Sequence, residues 1–147
     1  MKKIIIVFIL LINYSCNSQN KKIDITGNWY EDIQKTDSNN YSYTEIFIDD
    51  ESFNIYHAVA GFSGHIDYII ENNIFYHVFS DNVKKEQGRI EFIDKNTISI
   101  GDRDMVLKRI TIGLKLENFL RNNESEDEYL KFFNERKTAW KKNHGKD

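Results

Sequence analysis

Hydrophobic residues fall along this chain in three rhythms. Positions 4–12 form an unbroken apolar run behind Lys2 and Lys3. From residue 25 to residue 110, apolar and polar residues alternate in short blocks, the period-two pattern of half-buried β-strands. The blocks predict strands over 25–33, 41–48, 53–59, 65–70, 74–79, 85–93, 97–100 and 105–110, about eight in all. Between them stand Asn-, Asp- and Gly-rich turns at 37–40, 49–50, 61–64, 72–73, 81–82, 95–96 and 101–102. Asn and Gly accept the backbone conformations that tight hairpins require. Consecutive short hairpins imply an antiparallel meander in which each strand lies beside its neighbours in sequence.

Beyond residue 110 the period lengthens. Ile112, Leu116, Phe119 and Leu120 recur at helical spacing until Asn122-Asn123 interrupts. Ser125 with Glu128 fits a capping box, so a second helix is expected to follow. Tyr129, Phe132, Phe133, Arg136 and Trp140 then share one broad face. Acids crowd the start of this helix, and Lys141, Lys142 and His144 crowd its end, as the macrodipole favours; Gly145 is its expected stop.

The run at 4–12 is too short to span a bilayer, which takes ~20 apolar residues. With its cationic flank it has the layout of an export signal over residues 1–16, and it is set apart from the fold. Ser15-Cys16 resembles the end of a bacterial lipobox, with Asn13 and Tyr14 where that motif has an apolar and a smaller residue. The resemblance implies cleavage before Cys16 and its acylation by fatty chains such as palmitate. Cys16 is the only cysteine, so a disulfide does not account for it. The alternative is ordinary cleavage after Ser18, which discards the thiol. Residues 17–24 then read as a polar tether, and the expected location is the bacterial cell envelope, lipid-anchored and facing the periplasm or the cell surface.

Charge narrows the partners. Removing residues 1–16 takes away two lysines and no acid, moving the net charge from −3 to −5. No basic excess remains to attract phosphate backbones, so nucleic acid is not an expected partner. The rest of the chain makes one domain of ordinary size, with a barrel over 25–110 and helices over 111–147 packed on it. The absence of proline fits a closed barrel, which has no edge strands to blunt.

Thr26-Gly27-Asn28-Trp29-Tyr30 opens the first predicted strand. Gly27-x-Trp29 at the head of an eight-strand meander resembles the G-x-W signature of the lipocalin and wider calycin β-barrels. The resemblance implies that Trp29 plugs one end of the barrel and that an arginine ending the last strand lies across its indole. Arg109 stands at the corresponding place, and the family's helix after the last strand also has a counterpart here. The fold class expected is therefore mainly β, an up-and-down antiparallel lipocalin-like barrel with C-terminal α-helices. The rival architecture is a β-sandwich with Trp29 and Tyr30 as ordinary core aromatics.

The constellations that could carry chemistry are weak. Residues 61–65 (G-F-S-G-H) miss the nucleophile-elbow spacing and precede no helix, so a hairpin loop is expected. His57, His65 and His77 fall on successive predicted strands without a metal-ligand spacing or a fourth ligand, and Asp102-x-Asp104 lacks the rest of a calcium loop. Glu45 and Glu91 lie within strands and are expected to point outward into solvent. No catalytic residue, metal or cofactor is therefore assigned, and an enzyme is not expected. Aromatic residues are abundant along the strands. Phe47, Tyr56, Tyr68 and Phe75 are candidates to line a ligand cavity, or else to fill the barrel. The expected function is membrane-anchored binding of a small apolar ligand. The alternative is a protein-binding module, an inhibitor or immunity protein, with a filled barrel.

Overall fold

The computed structural model describes residues 23–32, 43–101, 105–122 and 124–145. The export signal with Cys16, most of the tether, and the predicted turn at 37–40 lie outside them, as do Asp102 and Asp104. Eight strands follow in order: β1 (Gly27–Glu31), β2 (Thr44–Ile48), β3 (Ser52–His57), β4 (Gly61–Glu71), β5 (Ile74–Val78), β6 (Lys84–Asp94), β7 (Thr97–Ile100) and β8 (Met105–Arg109). Each pairs antiparallel with the next, and β8 returns to pair with β1, so the sheet closes into a barrel. Two helices follow, α1 (Leu116–Arg121) and α2 (Glu126–Asn143). The sandwich alternative is excluded by the closure.

One predicted turn is corrected. Residues 61–64 begin β4, and the turn falls at 58–60 instead. Gly64 takes φ +95° inside the strand, and the β3–β4 register slips between Ile55 and Tyr56. A glycine there absorbs a bulge, which sequence alone does not separate from a turn.

Strand alternation sorts side chains onto two faces, and both faces of β1–β3 are buried. Inside the barrel, Trp29, Ile46, Ile48, Phe53, Phe75, Ile90, Ile98, Ile100 and Leu107 form one core. Outside it, Tyr43, Phe47 and Tyr56 meet Leu116, Tyr129, Phe133 and Trp140 of the helices in a second core. Each large side chain fully withdrawn from water there stabilises the docked helix by roughly 1.5–3 kcal/mol. α2 begins where expected, Ser125 Oγ accepting from the Glu128 N–H at 3.1 Å. α1 is tied to β1 by Asn28, which accepts from the Glu117 N–H at 3.0 Å and donates to the Glu117 carboxylate at 3.1 Å.

Candidate functional site

The barrel differs at its two ends. At the lower end, where β8 finishes, Arg109 is the cross-strand partner of Trp29, and its guanidinium carbon lies 4.1 Å from the ring centre. The indole N–H donates to the Ile25 carbonyl at 2.9 Å, and Arg109 Nη1 donates to the Thr26 carbonyl at 3.1 Å. Gly27, at φ +125°, leaves room for this guanidinium, because a Cβ there would collide with Arg109 Nη1. Gly27, Trp29 and Arg109 thus form a plug tied to the backbone at residues 25 and 26.

Above the plug the interior is occupied by aromatic rings. Phe75 stacks on Tyr68 with centroids 5.2 Å apart and meets Phe53 edge-on at 5.7 Å. The Tyr68 hydroxyl donates to the Asp49 carbonyl at 2.6 Å, and burial with nearby Asp49, Asp50 and Asp24 pushes its pKa up to about 12. Of the four residues expected to line a cavity, Tyr68 and Phe75 therefore stand in the barrel interior. Phe47 and Tyr56 do not: both belong to the outer core beneath the helices. Aromatics lie on both faces because both faces are covered, and composition cannot say which is which.

Toward the upper end the interior changes character. Glu31 pairs with the inward-facing Leu107, so it shares that face and points into the barrel. Its side chain makes no hydrogen bond or ion pair among the described residues, and burial raises its pKa. His77 also faces inward, with its ring 5.3 Å from Phe75 and 5.9 Å from Phe53. Its Nε2 is buried without a partner, and burial, with Lys85 nearby, lowers its pKa. Glu31 is two residues beyond Trp29 on β1, and His77 two residues beyond Phe75 on the parallel-running β5. Three strands lie between β1 and β5 in either direction round the barrel, so the two groups stand on opposite walls.

The outer wall holds the most polar cluster. Glu45 is 0% exposed and accepts four hydrogen bonds: Arg136 Nε at 2.7 Å and Nη2 at 2.9 Å, the Tyr43 hydroxyl at 2.9 Å and the Tyr129 hydroxyl at 2.9 Å. Burial and the Glu45 charge push both phenols well above their ordinary range, and the carboxylate keeps the guanidinium charged. The expectation of a solvated Glu45 is corrected: it points outward from the barrel, but α2 covers it. Glu91 is exposed, as expected. Further along the same seam, buried Asp32 pairs with Lys108 at 2.6 Å and lies 2.9 Å from His144 Nε2.

Two crevices flank these features. One of about 470 Å³ lies where residues 23–26 run beside Asp50 and Tyr68–Ile70, and another of about 500 Å³ separates the end of α2 from β1 and β8. The three strand histidines do not converge. His65 is exposed, and His57 Nδ1 accepts from the Val59 and Ala60 N–H groups at 3.3 and 3.4 Å, closing the β3–β4 turn. Among the described residues no cluster of three His, Cys, Asp or Glu side chains is placed to hold a metal, and no helix is long and apolar enough to cross a membrane. Comparison of the chain with family models, curated proteins and solved structures finds no match.

Proposed function

We propose that this protein is a lipid-anchored, lipocalin-like binding protein of the cell envelope whose barrel takes a small, largely apolar ligand through the end opposite Trp29. The observation that carries this reading is the contrast between the two ends. Around Trp29 the indole N–H and Arg109 Nη1 are bonded to backbone carbonyls, whereas toward the other end the inward-facing His77 has a buried Nε2 without a partner and the half-buried Glu31 shares the inner face. Buried polar groups without partners cost stability, and an apolar chamber with a few unpaired polar groups is the usual form of a ligand site. An eight-stranded barrel has an interior that side chains can fill or that can hold one small ligand.

A second reading has its own support. Val59 (84% exposed), Phe62, Phe79 and Val83 lie in or beside the β3–β4 and β5–β6 turns, both at the upper end. Such exposure suits docking against another protein.

Titration with a neutral apolar fluorophore such as N-phenyl-1-naphthylamine, with native mass spectrometry of protein taken from its own envelope, separates the two. The barrel reading expects one probe per chain, lost without change in fold in Met105→Trp, since Met105 opens β8 at the upper end and packs against the inner core. Binding that survives Met105→Trp but disappears when Phe62 and Phe79 become Ser transfers the function to the rim. No binding and no co-purified mass overturns the small-ligand reading.

A further inference from the structure

α2 ends in a contact that is independent of the barrel interior. His144 caps the helix, its ring stacked on Trp140 with centroids 4.5 Å apart. Both of its ring nitrogens face oxygen. Nδ1 lies 2.8 Å from the Trp140 carbonyl, and Nε2 lies 2.9 Å from Oδ1 of Asp32, the residue that follows β1. A carbonyl oxygen only accepts, so Nδ1 carries a proton and donates it. In a neutral imidazole Nε2 would then present a bare lone pair to another acceptor.

Asp32 needs a donor as well. Its carboxylate is buried, the residue being 3% exposed, and Oδ1 has no donor within reach among the described residues other than His144 Nε2. The second oxygen is held by Lys108 at 2.6 Å, and that hydrogen bond raises the lysine pKa, keeping the ammonium charged. A buried acceptor left without a donor costs stability. Only an imidazolium, with an N–H at each nitrogen, satisfies both oxygens that His144 faces. Positive charge also suits the C-terminal end of a helix.

The other titratable and charged groups around this junction are engaged, neutral or in water. Tyr43 and Arg136 are bonded to Glu45, Arg109 lies over Trp29, and Tyr30 is a phenol whose pKa burial raises. Lys141 and Lys142, on the same turn as His144, are exposed, so salt screens their repulsion of an added charge.

We propose that this junction is a proton-dependent clasp, in which imidazolium His144 ties the last turn of α2 to buried Asp32 and the turn loosens from the barrel when the proton leaves. The clasp is complete in acid, where the imidazole binds its second proton. It fails as pH rises, because Nε2 becomes an acceptor facing Oδ1. Release frees one wall of the crevice of about 500 Å³ that separates the end of α2 from β1 and β8.

The test is a double-mutant cycle of Asp32→Asn and His144→Ala, read by denaturant unfolding of the full chain in mild detergent at about pH 5 and about pH 8.5, either side of the histidine range. In acid the coupling should amount to roughly fivefold or more in the unfolding constant, and it should all but vanish at the higher pH. Hydrogen exchange reads the same change locally. After correction for intrinsic rates, the amides of residues 140–144 should lose protection between the two conditions in wild type and not in His144→Ala. Coupling that is equal at both pH values or absent in acid overturns the clasp, as does an equal loss of protection in wild type and His144→Ala. If Asp32→Asn does not fold, His144→Ala is compared with wild type alone. That variant should unfold several-fold more readily in acid, with the gap closing at the higher pH, and a gap independent of pH rejects the proposal.

Discussion

Arg109 lies across the Trp29 ring, 4.1 Å from its centre, at the place where the last strand of the barrel pairs with the first. The contact joins residues 80 positions apart, so it forms only when the whole meander has closed. In a double-mutant cycle, Trp29→Leu and Arg109→Gln should be non-additive by roughly 0.5–2 kcal/mol in denaturant unfolding. Additive losses would mean that the contact contributes nothing beyond each side chain alone.

Gly27→Ala tests the same closure from its other side. The added methyl meets Arg109 Nη1, and the backbone at φ +125° is one that alanine rarely adopts. A destabilisation of about 1–3 kcal/mol is expected, reduced when Arg109→Gln is already present.

The Glu45–Arg136 pair makes a sharper prediction. Arg136→Met leaves a fully buried carboxylate with only two phenols to satisfy it, and should cost about 3–5 kcal/mol. Adding Glu45→Gln should recover a sizeable part of that loss, because the stranded charge is then gone. A double variant no more stable than Arg136→Met would show that the cost comes from packing alone.

Removal of residues 125–147 should lower the melting temperature sharply or prevent folding. The deletion uncovers Tyr43 and Tyr56 and strands Glu45. If Cys16 is the anchor, as proposed, attachment to the membrane should be unaffected. Cys16→Ala should have the converse effect in cell fractionation, releasing a folded domain from the membrane fraction.

Burial raises the Glu31 pKa in the folded chain, so the fold favours its neutral form. The stability this carboxyl contributes is fully present below the ordinary carboxylate range and is lost as pH rises through its folded-state pKa. Without ligand, Glu31→Gln should therefore melt a few degrees higher than wild type at pH 7, and the gap should close toward strongly acid pH. A variant less stable than wild type at neutral pH would indicate that the carboxylate has a partner in the free protein.

Much of the architecture could be read from residue order, because its causes are local. Alternation along 25–110, Asn and Gly at the hairpins, and Ser125 before an acidic turn each act over a few residues, and among the described residues they name the elements correctly except at 61–64, where Gly61 and Gly64 lie in a strand. The meeting of Trp29 with Arg109 was legible only through the resemblance of Gly27-x-Trp29 to the lipocalin signature, which implies it, and closure of the meander brings the first and last strands together. Tertiary structure alone decided what each face meets. Glu45, Phe47 and Tyr56 follow the same period-two rule as any strand residue, yet their burial depends on a helix that packs over them from some 70 to 90 positions away. Glu31 and His77 are likewise unremarkable in sequence. Their lack of partners arises because strand closure sets them on opposite walls of one lumen, and the cost of burying a charge depends on everything around it rather than on its neighbours along the chain.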